Sequence, residues 1–300
     1  MDSNTNKEVL TDLSPLIKLY KDGTVERLLN SPHIRPSPLG PNAGVFSKDI
    51  NISPVVQARI YLPVPEVTEP NRKLPLLVYY HGGGFCVESA FSFLNHRYIN
   101  ILAAEAKALI ISVEYRLAPE HPLPVAYEDS WSALQWVASH VIANTSIKKD
   151  PWLTEHGDFG KIYIGGDSAG GNIAHNILVR AGTEPLPGDV KILGGFLSHP
   201  HFWGSKPIGS EAKQDIEESL LCRIWLFVYP SVHGGIDNPM VNPFADDAPS
   251  LSGLGCSRLL VCLAEEDVLT ERGFHYVESV KKSGWNGEVQ MVVVRGGTRN

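Results

Sequence analysis

A chain of 300 residues with 43% hydrophobic and 20% charged side chains has the composition of one sizeable folded domain. Its formal net charge of −7 at pH 7, with no basic run, argues against a nucleic-acid surface. No apolar stretch approaches the roughly 20 residues that cross a bilayer, the polar start Met1–Glu8 lacks a signal-peptide core, and the four cysteines form no C-x-x-C pair. The expectation is a cytosolic or nuclear protein with reduced thiols, in which the N-x-S/T matches at Asn51 and Asn144 are chance.

In chain order, Leu13, Ile17 and Tyr20 recur at helical spacing, which predicts that residues 1–45 contribute a helical cap over the core. Lys48–Ile52 and Ala58–Leu62 read as an antiparallel edge pair. From about Leu74, short β-rich runs alternate with longer helical patterns, the signature of a mainly parallel sheet with helices on both faces. Leu76–Tyr80 and Ala108–Val113 are near-continuous apolar strands. Tyr127, Trp131, Leu134, Ala138 and Val141 mark an amphipathic crossover helix. Lys161–Gly165 is the next strand, followed by a helix from Ala169 to about Arg180. Lys191–Leu197 and Leu259–Leu263 continue the sheet. Between them a helix over Glu217–Tyr229 and the Pro/Gly-rich Gly234–Gly255 form a lid-like insertion spanning about 200–255. A single α/β domain over 1–300, with a partial cap, is the expected organisation.

Gly166-Asp167-Ser168-Ala169-Gly170 lies between a strand and a helix. A turn this tight strains its central residue, needs small neighbours, and lifts the Ser168 hydroxyl above the strand end beside the unpaired N–H groups of the helix. His81-Gly82-Gly83-Gly84 also follows a strand, and its bare backbone N–H groups suit a developing oxyanion. His81 reads as a brace for that loop. An acid is expected at the end of a later strand, where Glu265-Glu266-Asp267 stands; Asp267 is preferred and Glu266 is the reserve. Phe85, Phe202 and Trp203 read as core aromatics that can line an apolar pocket. Arg116 and Glu120 are expected to share one structural network.

These motifs, together with Glu114–Pro122 and Gly171-Asn172, resemble the plant carboxylesterases, a family in the hormone-sensitive-lipase branch of the α/β-hydrolases. The match runs from about Leu13 to Trp285. Phe202–Glu211 is similar to the 2-hydroxyisoflavanone dehydratases, which tend to carry Thr at the nucleophile position, so Ser168 favours the esterase side. The resemblance implies the α/β-hydrolase fold, Ser168 as nucleophile, Asp267 as acid, and Gly83, Gly84 and Ala169 as oxyanion donors. It also implies a histidine turn after the next strand and a closing helix. Aligned from Ser283-Gly284-Trp285 through Glu288–Val294, that turn falls on Gly297–Asn300, with Arg299 at the histidine position and the end of the chain one residue on. Three readings follow: a truncated or altered product of an esterase gene, a natural variant that lost hydrolysis but kept the pocket, or an incomplete sequence, the first and last being preferred. His199, His201 and His275 stand elsewhere.

The expected chemistry is hydrolysis of small hydrophobic or aromatic esters without metal or cofactor, weak or absent here because arginine offers no acceptor for the serine proton. The alternatives are a dehydratase-like lyase or cyclase of plant secondary metabolism, and a small-molecule binding protein like the gibberellin receptors, which resemble the same family. The expected partner is a small ester or phenolic compound, with neither nucleic acid nor membrane; the sequence sets no oligomeric state.

Overall fold

The computed structural model describes residues 7–29, 31–37, 44–64, 72–144, 148–211, 216 and 218–296. Strands β4 (Val45–Asn51), β5 (Gln57–Pro63), β6 (Leu74–Tyr80), β7 (Leu109–Glu114), β8 (Gly157–Asp167), β9 (Ile192–Ser198), β10 (Arg258–Ala264) and β11 (Glu288–Val294) form one sheet. Its order is β11-β10-β9-β8-β6-β7-β5-β4. β4 and β5 pair antiparallel, as their sequence predicts, and β5 is also antiparallel to β7; the remaining pairs are parallel. β6 and β7 are apolar along nearly their whole length because both faces of the sheet are covered there.

Helix α1 (Phe93–Ala106) covers one face, where Ile99 and Ala103 meet Tyr61, Leu77, Tyr79 and Ile110. Helices α2 (Val125–Ala138), α4 (Ala169–Ala181) and α6 (Thr270–Lys282) lie in the larger core on the other face, through Leu134, Ile173 and Val277. A short helix α3 (Pro151–His156) precedes β8. The expected helix in the insertion is α5 (Leu220–Val228); its expected start, Glu217, lies outside the described residues.

The amino-terminal expectation is corrected. Val9–Leu13, Ile17–Tyr20 and Val25–Arg27 (β1, β2 and β3) form a three-stranded antiparallel sheet, not a helix. Pro15 disfavours helix at Ser14, whose N–H and hydroxyl are taken by the Asp12 carboxylate. The Asp22-Gly23 turn, with Gly23 at φ 83°, then reverses the chain. Leu13 and Ile17 are cross-strand partners, and both are buried. Their four-residue spacing comes from a hairpin register.

His175 of α4 is buried against Phe202, with Nδ1 2.9 Å from the Tyr276 hydroxyl of α6. Burial lowers its pKa from 6.5 to about 3. The folded state therefore resists a proton that the unfolded chain accepts, so this contribution is intact above pH ~6.5 and is lost as pH falls below it. Urea unfolding is expected to lose up to about 1.4 kcal/mol per pH unit from this group between pH ~6 and ~4. A His175→Gln protein should show a shallower slope, and an unchanged slope would remove His175 as the source.

Candidate functional site

The carboxyl end of β8 turns into α4 at Ser168, which is held at φ 54°, ψ −115°. This is a costly conformation for a side chain other than glycine, and it persists only where its surroundings enforce it. The Ser168 N–H donates to Ser198 O at the end of β9 (2.8 Å). Its carbonyl accepts from the N–H groups of Asn172 and His201, both at 2.9 Å. Asn172, to which the sequence reading gave no role, ties the turn further. Its Nδ2 donates to His201 O and Met240 O, and its Oδ1 accepts from the Tyr127 hydroxyl at 2.7 Å. The first turn of α4 lies so close to β6 that a Cβ on Gly170 would stand 1.9 Å from Tyr80 O and 2.7 Å from His81 O. The glycine at that position is a packing requirement.

The loop after β6 thus begins against the turn at Ser168. His81 stacks on Tyr115 with ring centroids 4.3 Å apart, and the Tyr115 hydroxyl donates to His81 O at 2.7 Å. His81 Nδ1 lies 2.7 Å from Gly82 O, so it carries the proton and braces the loop. Gly83 O accepts from the N–H groups of Cys86 (3.1 Å) and Val87 (2.9 Å), while among the described residues the N–H groups of Gly83 and Gly84 have no acceptor. Leu16, between β1 and β2, and Ile224 of α5 reach within 3.6 and 3.3 Å of where a Gly84 Cβ would stand. Arg27 of β3 donates through Nε to Cys86 O (2.8 Å) and through Nη2 to Ala118 O (3.2 Å), and pairs with Glu120 at 2.6 Å. The expected Arg116–Glu120 network is corrected: Arg116 pairs with Asp129, whose carboxylate also accepts the Arg116 N–H. Glu120 turns instead to Arg27, whose hydrogen bond holds its pKa below the usual carboxylate range.

Asp267 follows β10 and is buried, whereas Glu265 and Glu266 are exposed. Its Oδ1 accepts the Leu269 N–H (2.8 Å), and its carbonyl accepts the Thr270 N–H (3.0 Å) that opens α6. β9 lies between β8 and β10, so Ser168 and Asp267 leave the same edge of the sheet two strands apart. His199 also lies at this edge, its N–H donating to Cys262 O (2.9 Å). His275 packs on Phe244 of the insertion. Gly297–Asn300, with Arg299, lies outside the described residues. Phe85 and Phe202 are fully buried and Trp203 nearly so; Phe85 packs between Tyr127, His201 and Trp225.

No cluster of three potential metal ligands occurs among the described residues, and no helix among them is long and apolar enough to cross a membrane. A cavity of about 660 Å³ between the insertion and α6 is lined by residues including Pro207, Asp237, Phe244, Arg272 and His275. Ser168, Gly83, Gly84 and Asp267 are not in its wall.

A family described as having the alpha/beta hydrolase fold matches residues 77–298. The chain is 53% identical to the 2-hydroxyisoflavanone dehydratase of Glycyrrhiza echinata, over 98% of this chain and 90% of that protein. It is 42% identical to probable carboxylesterase 2 of Arabidopsis thaliana, over 96% and 88%. Among solved structures, a hyperthermophilic esterase from the archaeon Pyrobaculum calidifontis superposes with a TM-score of 0.61 at 32% identity, over 84% of this chain and 76% of that one. The mostly parallel sheet with helices on both faces is thus the arrangement that the strand and helix pattern predicts.

Proposed function

The chain belongs to the α/β-hydrolase fold family, in its plant carboxylesterase branch, and from that premise we propose a serine carboxylesterase acting on small hydrophobic or aromatic esters. The observation that carries this reading is Ser168 at φ 54° on the β8–α4 bend, beside a loop whose Gly83 and Gly84 amides have no acceptor among the described residues. In the proposed reaction the Ser168 hydroxyl attacks the ester carbonyl. The amides of Gly83, Gly84 and Ala169 take the negative charge of the tetrahedral oxygen. Asp267 is the acid that would orient a histidine. Arg299 occupies the position at which the family resemblance puts that histidine, and a guanidinium cannot accept the serine proton. Turnover by these 300 residues is therefore slow, about the 10³–10⁴-fold over water that binding and an oxyanion hole supply without a complete triad. The amino-terminal sheet and the insertion, through Leu16 and Ile224, form the cap that shapes the acyl side of the pocket.

The 53% identity with a protein named 2-hydroxyisoflavanone dehydratase favours a second reading, elimination of water from a β-hydroxy ketone in the same pocket. One experiment separates the two. The protein and its Ser168→Ala variant are given p-nitrophenyl acetate and, separately, a 2-hydroxyisoflavanone. Slow nitrophenol release that Ser168→Ala abolishes supports the esterase. A dehydrated product without ester cleavage supports the lyase, and nitrophenol release unchanged in Ser168→Ala overturns the serine mechanism.

A further inference from the structure

Asp167 stands between Gly166 and Ser168, yet hydrolysis as outlined gives it no part. Its carboxylate is fixed from two sides. The Tyr79 hydroxyl, on the neighbouring strand β6, donates to Oδ1 at 2.6 Å. Oδ2 stands 2.2 Å from where a Cβ on Gly82 would be, with Cγ at 3.0 Å and the Asp167 carbonyl oxygen at 3.2 Å. The parallel register pairs Tyr79 with Gly165 and Tyr80 with Gly166, so the two chains leave the sheet side by side. Tyr79 is buried, and burial, reinforced by the charge of Asp167, pushes its pKa well above the ordinary tyrosine value. It stays a donor throughout the working range of an esterase. A carboxylate beside an oxyanion site is unfavourable by charge alone, and the short hydrogen bond to Tyr79 offsets part of that cost.

We propose that Asp167 is a positioning residue: its carboxylate, clamped by the Tyr79 hydroxyl, bears on Gly82 and fixes where the Gly83 and Gly84 amides stand relative to Ser168. The proposal rests on the serine-hydrolase reading and adds to it a residue that acts through the loop, never on the substrate. The dimensions are specific. Asparagine keeps the shape but sets an N–H pair or a neutral oxygen against Gly82. Alanine removes the stop, and a side chain on Gly82 collides with it.

The test follows two readouts: the rate at which an alkyl fluorophosphonate labels Ser168, read by intact mass, and KM for p-nitrophenyl butyrate. Gly82→Ala is expected to slow labelling by about 10²-fold, the usual penalty for misplacing a reacting group by about 1 Å. Adding Asp167→Ala should recover at least about tenfold of that loss, because the remaining contact at 3.2 Å is tolerable. Tyr79→Phe and Asp167→Asn should each slow labelling by about tenfold with KM unchanged, a split that general loosening of the fold would not give. Labelling at the original rate in both Asp167→Asn and Asp167→Ala overturns the proposal. So does a double variant no faster than Gly82→Ala alone. Label found in Ser168→Ala would instead overturn the serine-hydrolase reading beneath it, which keeps the two failures distinct.

Discussion

A Gly170→Ala protein should lose at least about 4 kcal/mol of stability, and whatever folds should react with a serine-directed fluorophosphonate at least about 10²-fold more slowly. The added methyl would stand 1.9 Å from Tyr80 O, 2.5 Å from Tyr80 C and 2.7 Å from His81 O. All three are main-chain atoms at the junction of β6 and the Gly loop, so no side-chain rotation relieves them. Either α4 moves away from the sheet, breaking the Ser168 N–H bond to Ser198 O, or the Gly loop moves away from Ser168. Gly253 is the control, since a methyl there meets nothing within 4 Å. Urea melts and labelling kinetics of the two variants decide the matter. A Gly170→Ala protein within about 1 kcal/mol of the parent and labelled at its rate would mean that the close approach is unnecessary.

Arg272→Ala should cost about 3–5 kcal/mol. Its guanidinium is buried and pairs with both oxygens of Glu211 (2.8 and 2.7 Å). It also donates to Gly204 O (3.0 Å) and Lys206 O (3.3 Å), and stacks on Trp203 at 4.5 Å. Truncation leaves the Glu211 carboxylate, with 11% of its side chain exposed, without its cation, and that unpaired charge dominates the loss. The combined Arg272→Met, Glu211→Leu protein should regain most of the stability, because two apolar side chains of similar volume replace a pair whose desolvation cancels much of its attraction. Equal urea midpoints for the single and the double variant would show that packing on Trp203, not charge, sets the cost.

The parallel sheet was legible because buried strands spell themselves as apolar runs: Leu76–Tyr80 predicts β6, and Leu259–Leu263 lies within β10. The tight turn at Ser168 and the Gly loop after β6 were legible because their glycines answer to close approaches at Gly170 and Gly82 that no other residue allows. The amino-terminal sheet was misread because Leu13, Ile17 and Tyr20 satisfy a helical period over a stretch too short to test it. Pro15 and Asp22-Gly23, which outweigh that period, were in plain view. Partners distant in sequence left no local trace. Arg27 meets residues 59 to 93 positions away, Tyr79 meets Asp167 88 positions away, and Arg116 finds Asp129 rather than the nearer Glu120. The Asn172 side chain leaves no local trace either, because it ties to Tyr127, His201 and Met240, 29 to 68 positions away.

The small amino-terminal sheet is synthesised well before α5, whose Arg223, which donates to Asp12 O, is made 211 residues after it. At about 5–20 residues per second that interval is roughly 10–40 s. Through it Leu13 and Ile17 have no finished core to enter, and Leu16 has no Ile224 to meet over Gly84. Ser168 is therefore made before Ile224 can stand over Gly84, and the contact between the amino-terminal sheet and the insertion at that loop closes only after α5 has emerged.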